Sequence, residues 1–239
     1  MCHSDDSRPP AAPGAVPAAS DAPLELRAAD GTRVLAHQAR PVTPSGLGIV
    51  VLPDVRGLHA FYRQLVVRFA ETGAESVAVD WFGRTAETDD RSEDFVFRPH
   101  VEQTTAQGVA ADVAAGVAHL RELGATRIFT VGFCFGGGYS WRQSADTAGL
   151  SGVVGFYGRA SLVGDATARM TAPLLMLVAG ADANLPVSDA EQLAAAAATR
   201  VPVELVVFDG APHSFFDRSF AEHEADCARA WDEILRFTV

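Results

Sequence analysis

The chain has 239 residues, 48% hydrophobic and 21% charged, which supplies a sizeable core and excludes a mainly disordered or fibrous protein. Its formal net charge of −11 disfavours nucleic acid or an anionic membrane as the main partner, and no apolar run approaches the roughly 18 residues of a membrane helix. All 19 basic residues are arginine, so chemistry that needs a Schiff-base, P-loop or kinase-strand lysine is excluded.

Residues 1–23 are rich in Pro, Ala and Ser, with Asp5 and Asp6 where a secretory signal would carry positive charge. They read as a flexible tail outside a single domain spanning 24–239. Segments 24–27 and 34–39, split by Asp30-Gly31, read as an antiparallel hairpin. The run Gly48-Ile49-Val50-Val51-Leu52 suits a strand buried on both faces. A helix over 59–72, spaced by Phe61, Leu65 and Phe69, stops at Gly73, and a strand follows over 76–80. Residues 83–100 are polar without a clear period. Helix 104–123, strand 127–131, helix 135–147 and strands 153–157 and 174–179 follow. Helix 188–200, strand 203–208 and helix 220–237 complete the pattern. Such alternation predicts an α/β domain with a mostly parallel sheet covered on both faces.

Three cysteines, Cys2, Cys134 and Cys227, give no disulfide framework and fit a reducing cytoplasm. No His-Glu-x-x-His or Cys-x-x-Cys motif occurs, so neither a metal nor another cofactor is expected.

The chemistry concentrates in Gly132-Phe133-Cys134-Phe135-Gly136, between a predicted strand and a predicted helix. Gly-x-nucleophile-x-Gly at such a junction is the nucleophile elbow of α/β-hydrolases, with cysteine in place of serine. The turn is sharp, so the positions two before and two after the nucleophile must be small. The helix that follows points its N-terminus at the thiol and favours a thiolate, with the Phe135 amide facing a developing oxyanion. A buried structural cysteine in a Gly-rich helix–sheet contact is the alternative. Asp182 follows strand 174–179, and His213 follows strand 203–208. The order nucleophile, acid, His is that of an α/β-hydrolase triad. Asp189 and Asp209 are rival acids; His119 and His223 lie in predicted helices and suit the role less well.

On these motifs, with Pro53-Asp54-Val55-Arg56-Gly57, Asp80-Trp81-Phe82-Gly83-Arg84-Thr85, Gly155-Phe156-Tyr157-Gly158 and Pro212-His213-Ser214-Phe215-Phe216, the chain resembles the dienelactone hydrolase family over residues 24–239. The resemblance implies an α/β-hydrolase fold, Cys134 as nucleophile, Asp182 as orienting acid, His213 as base, and Phe135 and Val55 amides as oxyanion hole. It places Asp54 where the founding enzyme has a Glu that helps activate the thiol. It also implies that Arg84 binds a substrate carboxylate, with Tyr157 and Arg218 as further substrate-binding residues. A second carboxylate-binding Arg of the founding enzyme is replaced by Asp217, so dienelactone itself is in doubt as substrate. The expectation is a cytoplasmic, cofactor-free hydrolase of a small, carboxylate-bearing ester or lactone, monomeric or a small homo-oligomer. A broad esterase for neutral substrates, and a non-catalytic binder or thiol redox sensor, are the rivals.

Overall fold

The computed structural model describes residues 5, 7–18, 20–217 and 220–239. Among them, eight strands form one sheet: β1 (Ser20–Arg27), β2 (Arg33–Arg40), β3 (Leu47–Leu52), β4 (Glu75–Val79), β5 (Arg127–Phe133), β6 (Gly152–Phe156), β7 (Leu174–Ala179) and β8 (Val203–Phe208). Their order is β1-β2-β4-β3-β5-β6-β7-β8. The hairpin pairs β1 with β2, and β2 joins β4 antiparallel; every later pairing is parallel. The helices are α1 (Ala60–Ala70), α2 (Arg98–Gln103), α3 (Ala106–Glu122), α4 (Phe135–Asp146), α5 (Val187–Ala197) and α6 (Glu224–Phe237).

The two-residue period of a strand sends alternate side chains to opposite faces. In β3, Ile49 and Val51 join the core under α1 and α6, with Phe61, Leu65, Phe69 and Trp231. Val50 and Leu52 join the other core, with Val113 and Leu120 of α3, Trp141 of α4 and Leu193 of α5. Both faces of β3 are therefore buried, which is why it reads as an unbroken apolar run.

The structure departs from the sequence expectations in three places. Strand β5 runs two residues past its expected end at 131, so Gly132 and Phe133 carry the sheet up to Cys134. The polar segment 83–100 is anchored by ion pairs. Asp80, at the end of β4, accepts the Arg91 guanidinium at 3.1 and 2.9 Å and the Leu58 and Phe82 amides at 3.0 Å each. The two charged side chains are almost wholly buried, and the Arg91 guanidinium lies 4.5 Å from the Phe95 ring centroid. Full hydrogen bonding is what lets such a pair persist out of water. Helix α2 follows this anchored loop.

The third departure is the amino-terminal segment, which is not a free tail. Strand β1 begins at Ser20, within the expected tail. Before it, Pro9, Pro10 and Ala12 are buried. The Trp231 indole donates to the Pro10 carbonyl at 3.3 Å, and Val16 N–H donates to Glu71 O at 2.9 Å. The His59 ring bonds the Asp5 carboxylate at 3.0 Å. Deleting residues 1–12 uncovers apolar surface at Trp231, so urea unfolding should show a loss of about 1–3 kcal/mol, the scale of one or two buried side chains. An unchanged midpoint would mean that these contacts contribute nothing.

Candidate active site

Cys134 joins β5 to α4 with φ 54° and ψ −111°, a conformation that costs a non-glycine residue about 1–3 kcal/mol. Packing around the turn enforces it. A Cβ on Gly132 would stand 2.0 Å from the Gly136 carbonyl oxygen, and one on Gly136 would stand 2.1 Å from that of Pro53. The thiol is half-buried. Phe135 opens α4, where backbone N–H groups have no partner within the helix.

Asp182 leaves the end of β7. Its Oδ1 accepts the amides of Asn184 at 2.9 Å and Leu185 at 3.1 Å. Its Oδ2 lies 2.5 Å from Nδ1 of His213, which follows β8. The other side of the imidazole hydrogen-bonds Cys134. Burial works against a charge on His213, but the Cys134 sulfur and then the Asp182 carboxylate outweigh it and hold the ring's pKa up to about 9. An imidazolium beside a thiol favours the thiolate. The structure therefore brings Cys134, His213 and Asp182 together in the expected order, and such a series can pass a proton from sulfur to ring.

Cys134 and His213 open on a cavity of about 440 Å³ with Val55 and Phe135 beside them. Val101 of α2, Leu162 and Leu185 make an apolar wall, and Arg159 and Asn184 are its remaining polar residues. Sequence reasoning missed these five. Arg159 had a usable signal, because it lies just beyond the carboxyl end of a parallel strand, where α/β proteins build their sites. Among the described residues, no cluster of His, Cys, Asp or Glu could hold a metal ion.

The remaining expected site residues are Arg84, Tyr157, Asp54 and Arg218. Arg84 does not line this cavity. It pairs with Asp112 of α3 at 2.7 Å and Asp30 at 2.6 Å and donates to the Thr32 hydroxyl at 3.0 Å. Its guanidinium ties the β1–β2 turn to α3. Burial lifts the Asp112 carboxyl to about 6 even against Arg84. Tyr157 is buried, not on the cavity wall, and its hydroxyl donates to Asp217 Oδ2 at 3.0 Å. Asp217 is itself buried. Asp54 is fully buried and accepts the Arg56 amide at 2.8 Å. Arg218 lies outside the described residues.

A twisted, mostly parallel sheet with a strained nucleophile turn after one strand, a carboxylate after a later one and a histidine after the last defines an α/β-hydrolase. Comparison with known proteins narrows this. The model of the dienelactone hydrolase family matches residues 34–238, and the chain belongs to that family of ester-bond hydrolases. A Salmonella typhi protein assigned as a carboxymethylenebutenolidase is 27% identical over 225 residues, covering 87% of this chain and 83% of its own. A Bradyrhizobium protein named as a 2-oxo-3-(5-oxofuran-2-ylidene)propanoate lactonase is also 27% identical, over 86% of this chain and 89% of its own. Among solved structures, a Klebsiella pneumoniae protein assigned as a dienelactone hydrolase superposes with a TM-score of 0.76 at 23% identity, covering 92% of this chain and 98% of its own.

Arg84→Ala leaves Asp112 buried without its cation. Breaking a buried pair costs about 3–5 kcal/mol, and part of that is screened here because Arg84 is 22% exposed. Thermal and urea unfolding should report a loss of about 2–4 kcal/mol, while kcat/KM of the folded fraction stays put. A selective loss of kcat/KM without destabilisation would return Arg84 to the substrate site.

His213 supplies a second test. Its folded value lies above the ordinary 6.5, so the stability that it contributes is complete below about pH 6.5 and disappears as pH rises through about 9. Cys134→Ala removes the largest influence that raises the value, so the His213 NMR titration midpoint should fall. The stability gained from this proton should then vanish at lower pH than in the wild type. An unmoved midpoint would leave Asp182 as the sole holder of the proton.

Proposed function

We propose that the protein hydrolyses a small ester or lactone through Cys134, with no cofactor in the reaction. The observation that carries this reading is the His213 ring, held by Asp182 on one side and bonded to Cys134 on the other, at the mouth of a largely apolar cavity. The names of the relatives, a carboxymethylenebutenolidase assignment and a lactonase, support the same substrate class.

In the resting site the sulfur's proton sits on His213. The thiolate attacks the carbonyl carbon, and a C–S bond forms as the carbonyl electrons move to oxygen. The Phe135 and Val55 amides receive that oxyanion. Collapse breaks the C–O bond, and the departing alcohol or enol takes the proton from His213. The acyl group remains as a thioester. His213, now neutral, removes a proton from water as the hydroxyl adds to the thioester carbonyl. Collapse releases the acid and returns the sulfur as thiolate beside a protonated ring. Asp182 fixes the tautomer and orientation of the imidazole throughout.

Cys134→Ala should lower kcat on 4-nitrophenyl acetate by more than about 10⁴-fold, and Asp182→Asn by about 10²- to 10⁴-fold. Asp209→Asn should leave it within about twofold, because Asp209 is exposed and the carboxylate that bonds the His213 ring is that of Asp182. A nitrophenol burst stoichiometric with enzyme, and an acyl adduct mapped by mass spectrometry to the Cys134 peptide, are expected in the wild type. Cys227 should escape both acylation and iodoacetamide, because burial and then the charges of Asp226, Asp217 and Glu224 push its thiol up to about 12. Reversible peroxide oxidation of Cys134 with no burst from any ester would make the protein a thiol sensor instead.

A further inference from the structure

The guanidinium expected to read substrate charge is consumed by Asp112 and Asp30, yet an arginine does face the reacting sulfur's cavity. Arg159 follows β6, is exposed, and lines that cavity with Cys134 and His213. Apart from His213 it is the only positively charged side chain among the described residues that line it. Its guanidinium makes no hydrogen bond or ion pair with the described residues. Asp189, which borders an adjoining recess with Arg159, does not pair with it. The Arg159 backbone is fixed where the side chain is not. Its carbonyl accepts the Leu162 amide at 3.1 Å and packs so closely on α4 that a Cβ at Gly138 would stand 2.7 Å from it. A cationic arm on a rigid base therefore projects over a mostly apolar cavity.

Resting on the ester-hydrolase reading above, we infer that Arg159 is the specificity-determining residue that binds a carboxylate on the substrate, on the opposite flank of the nucleophile from Arg84. Sheet order sets the flank. Arg84 follows β4, which lies two strands from β5 on the β3 side; Arg159 follows β6, the next strand on the other side. Val55, which follows β3, lies on the Arg84 side. The ester's anionic arm thus extends away from the Val55 amide, toward Leu162, Asn184 and Leu185. A guanidinium meets a carboxylate through two parallel N–H···O contacts.

The experiment compares two acyl arms of similar length, 4-nitrophenyl hydrogen glutarate, which ends in a carboxylate, and 4-nitrophenyl hexanoate, which ends in a methyl group. Arg159→Gln should lower kcat/KM for the glutarate ester by about 5- to 50-fold, the range for a charge-assisted contact partly open to solvent. The loss should sit mainly in KM, and the hexanoate ester should change by less than about twofold. Arg159→Lys should recover part of the glutarate preference, since it keeps the charge and loses the fork. Equal losses on both esters, or no loss on the glutarate ester, would overturn the assignment. Protection of Cys134 from iodoacetamide by free glutarate reads the same contact without turnover. Protection in the wild type that Arg159→Gln abolishes supports the anion site even if no ester is cleaved, and protection that is absent, or unchanged in the variant, overturns it. Failure of the hydrolase reading shows instead as a missing nitrophenol burst from the hexanoate ester.

Discussion

Everything at the reaction centre depends on how tightly β5 can turn into α4. Backbone meets backbone there: the positions of Gly132 and Gly136 leave no room for a Cβ against the Gly136 and Pro53 carbonyls. That closeness forces the left-handed conformation at Cys134 and lifts its side chain off the sheet toward His213. It also aligns the first turn of α4 with the sulfur. The strain of one residue is repaid by packing spread over β3 and β5, two central strands of the sheet whose register from Leu47–Arg127 to Leu52–Gly132 is unbroken.

The loops around this turn are steadied by charged hydrogen-bonded pairs as well as by apolar packing. Asp80 and Arg91 bind the end of β4, the approach to α1 and the segment before α2 into one unit. Arg84 does the same for the β1–β2 turn and α3. Tyr157 and Asp217 link the exits of β6 and β8 beneath the histidine, whose ring centroid lies 4.9 Å from that of Tyr157. Residues that look suited to substrate thus hold the walls in place, and the groups left facing the cavity are mostly apolar.

This division of labour explains what could be read in advance. The central strands of the parallel sheet were legible because both their faces are buried, and the elbow because Gly132 answers to a contact with Gly136, four residues on, although Gly136 itself packs on the distant Pro53. The placement of Asp182 and His213 at strand ends followed from chain order. Arg84 was misplaced because its partner Asp112 comes from α3, 28 residues on, and a sequence does not say which acid an arginine chooses. Helix α2 is six residues long, too short for a period to show. Pro9, Pro10 and Ala12 have the composition of a linker, and only Trp231, far along the chain, reveals that they are covered. Arg159 offered only its place after a parallel strand; that it lines the cavity of Cys134 and His213 is visible only in the fold.

The contact between Trp231 and the Pro10 carbonyl spans 221 positions of sequence, and it has a bearing on synthesis. As the chain emerges, β1 to β7 can begin to assemble while α6 is still being made. The contact of Pro10 with the indole cannot form until α6 is made, because Trp231 lies in α6, 221 positions on, although the His59 ring and the Glu71 carbonyl are already in place for Asp5 and Val16. Pro10 waits in water, and the face later covered by α6 waits with it. Docking of Pro10 against Trp231 therefore waits for the synthesis of α6 and joins two stretches of chain far apart in sequence.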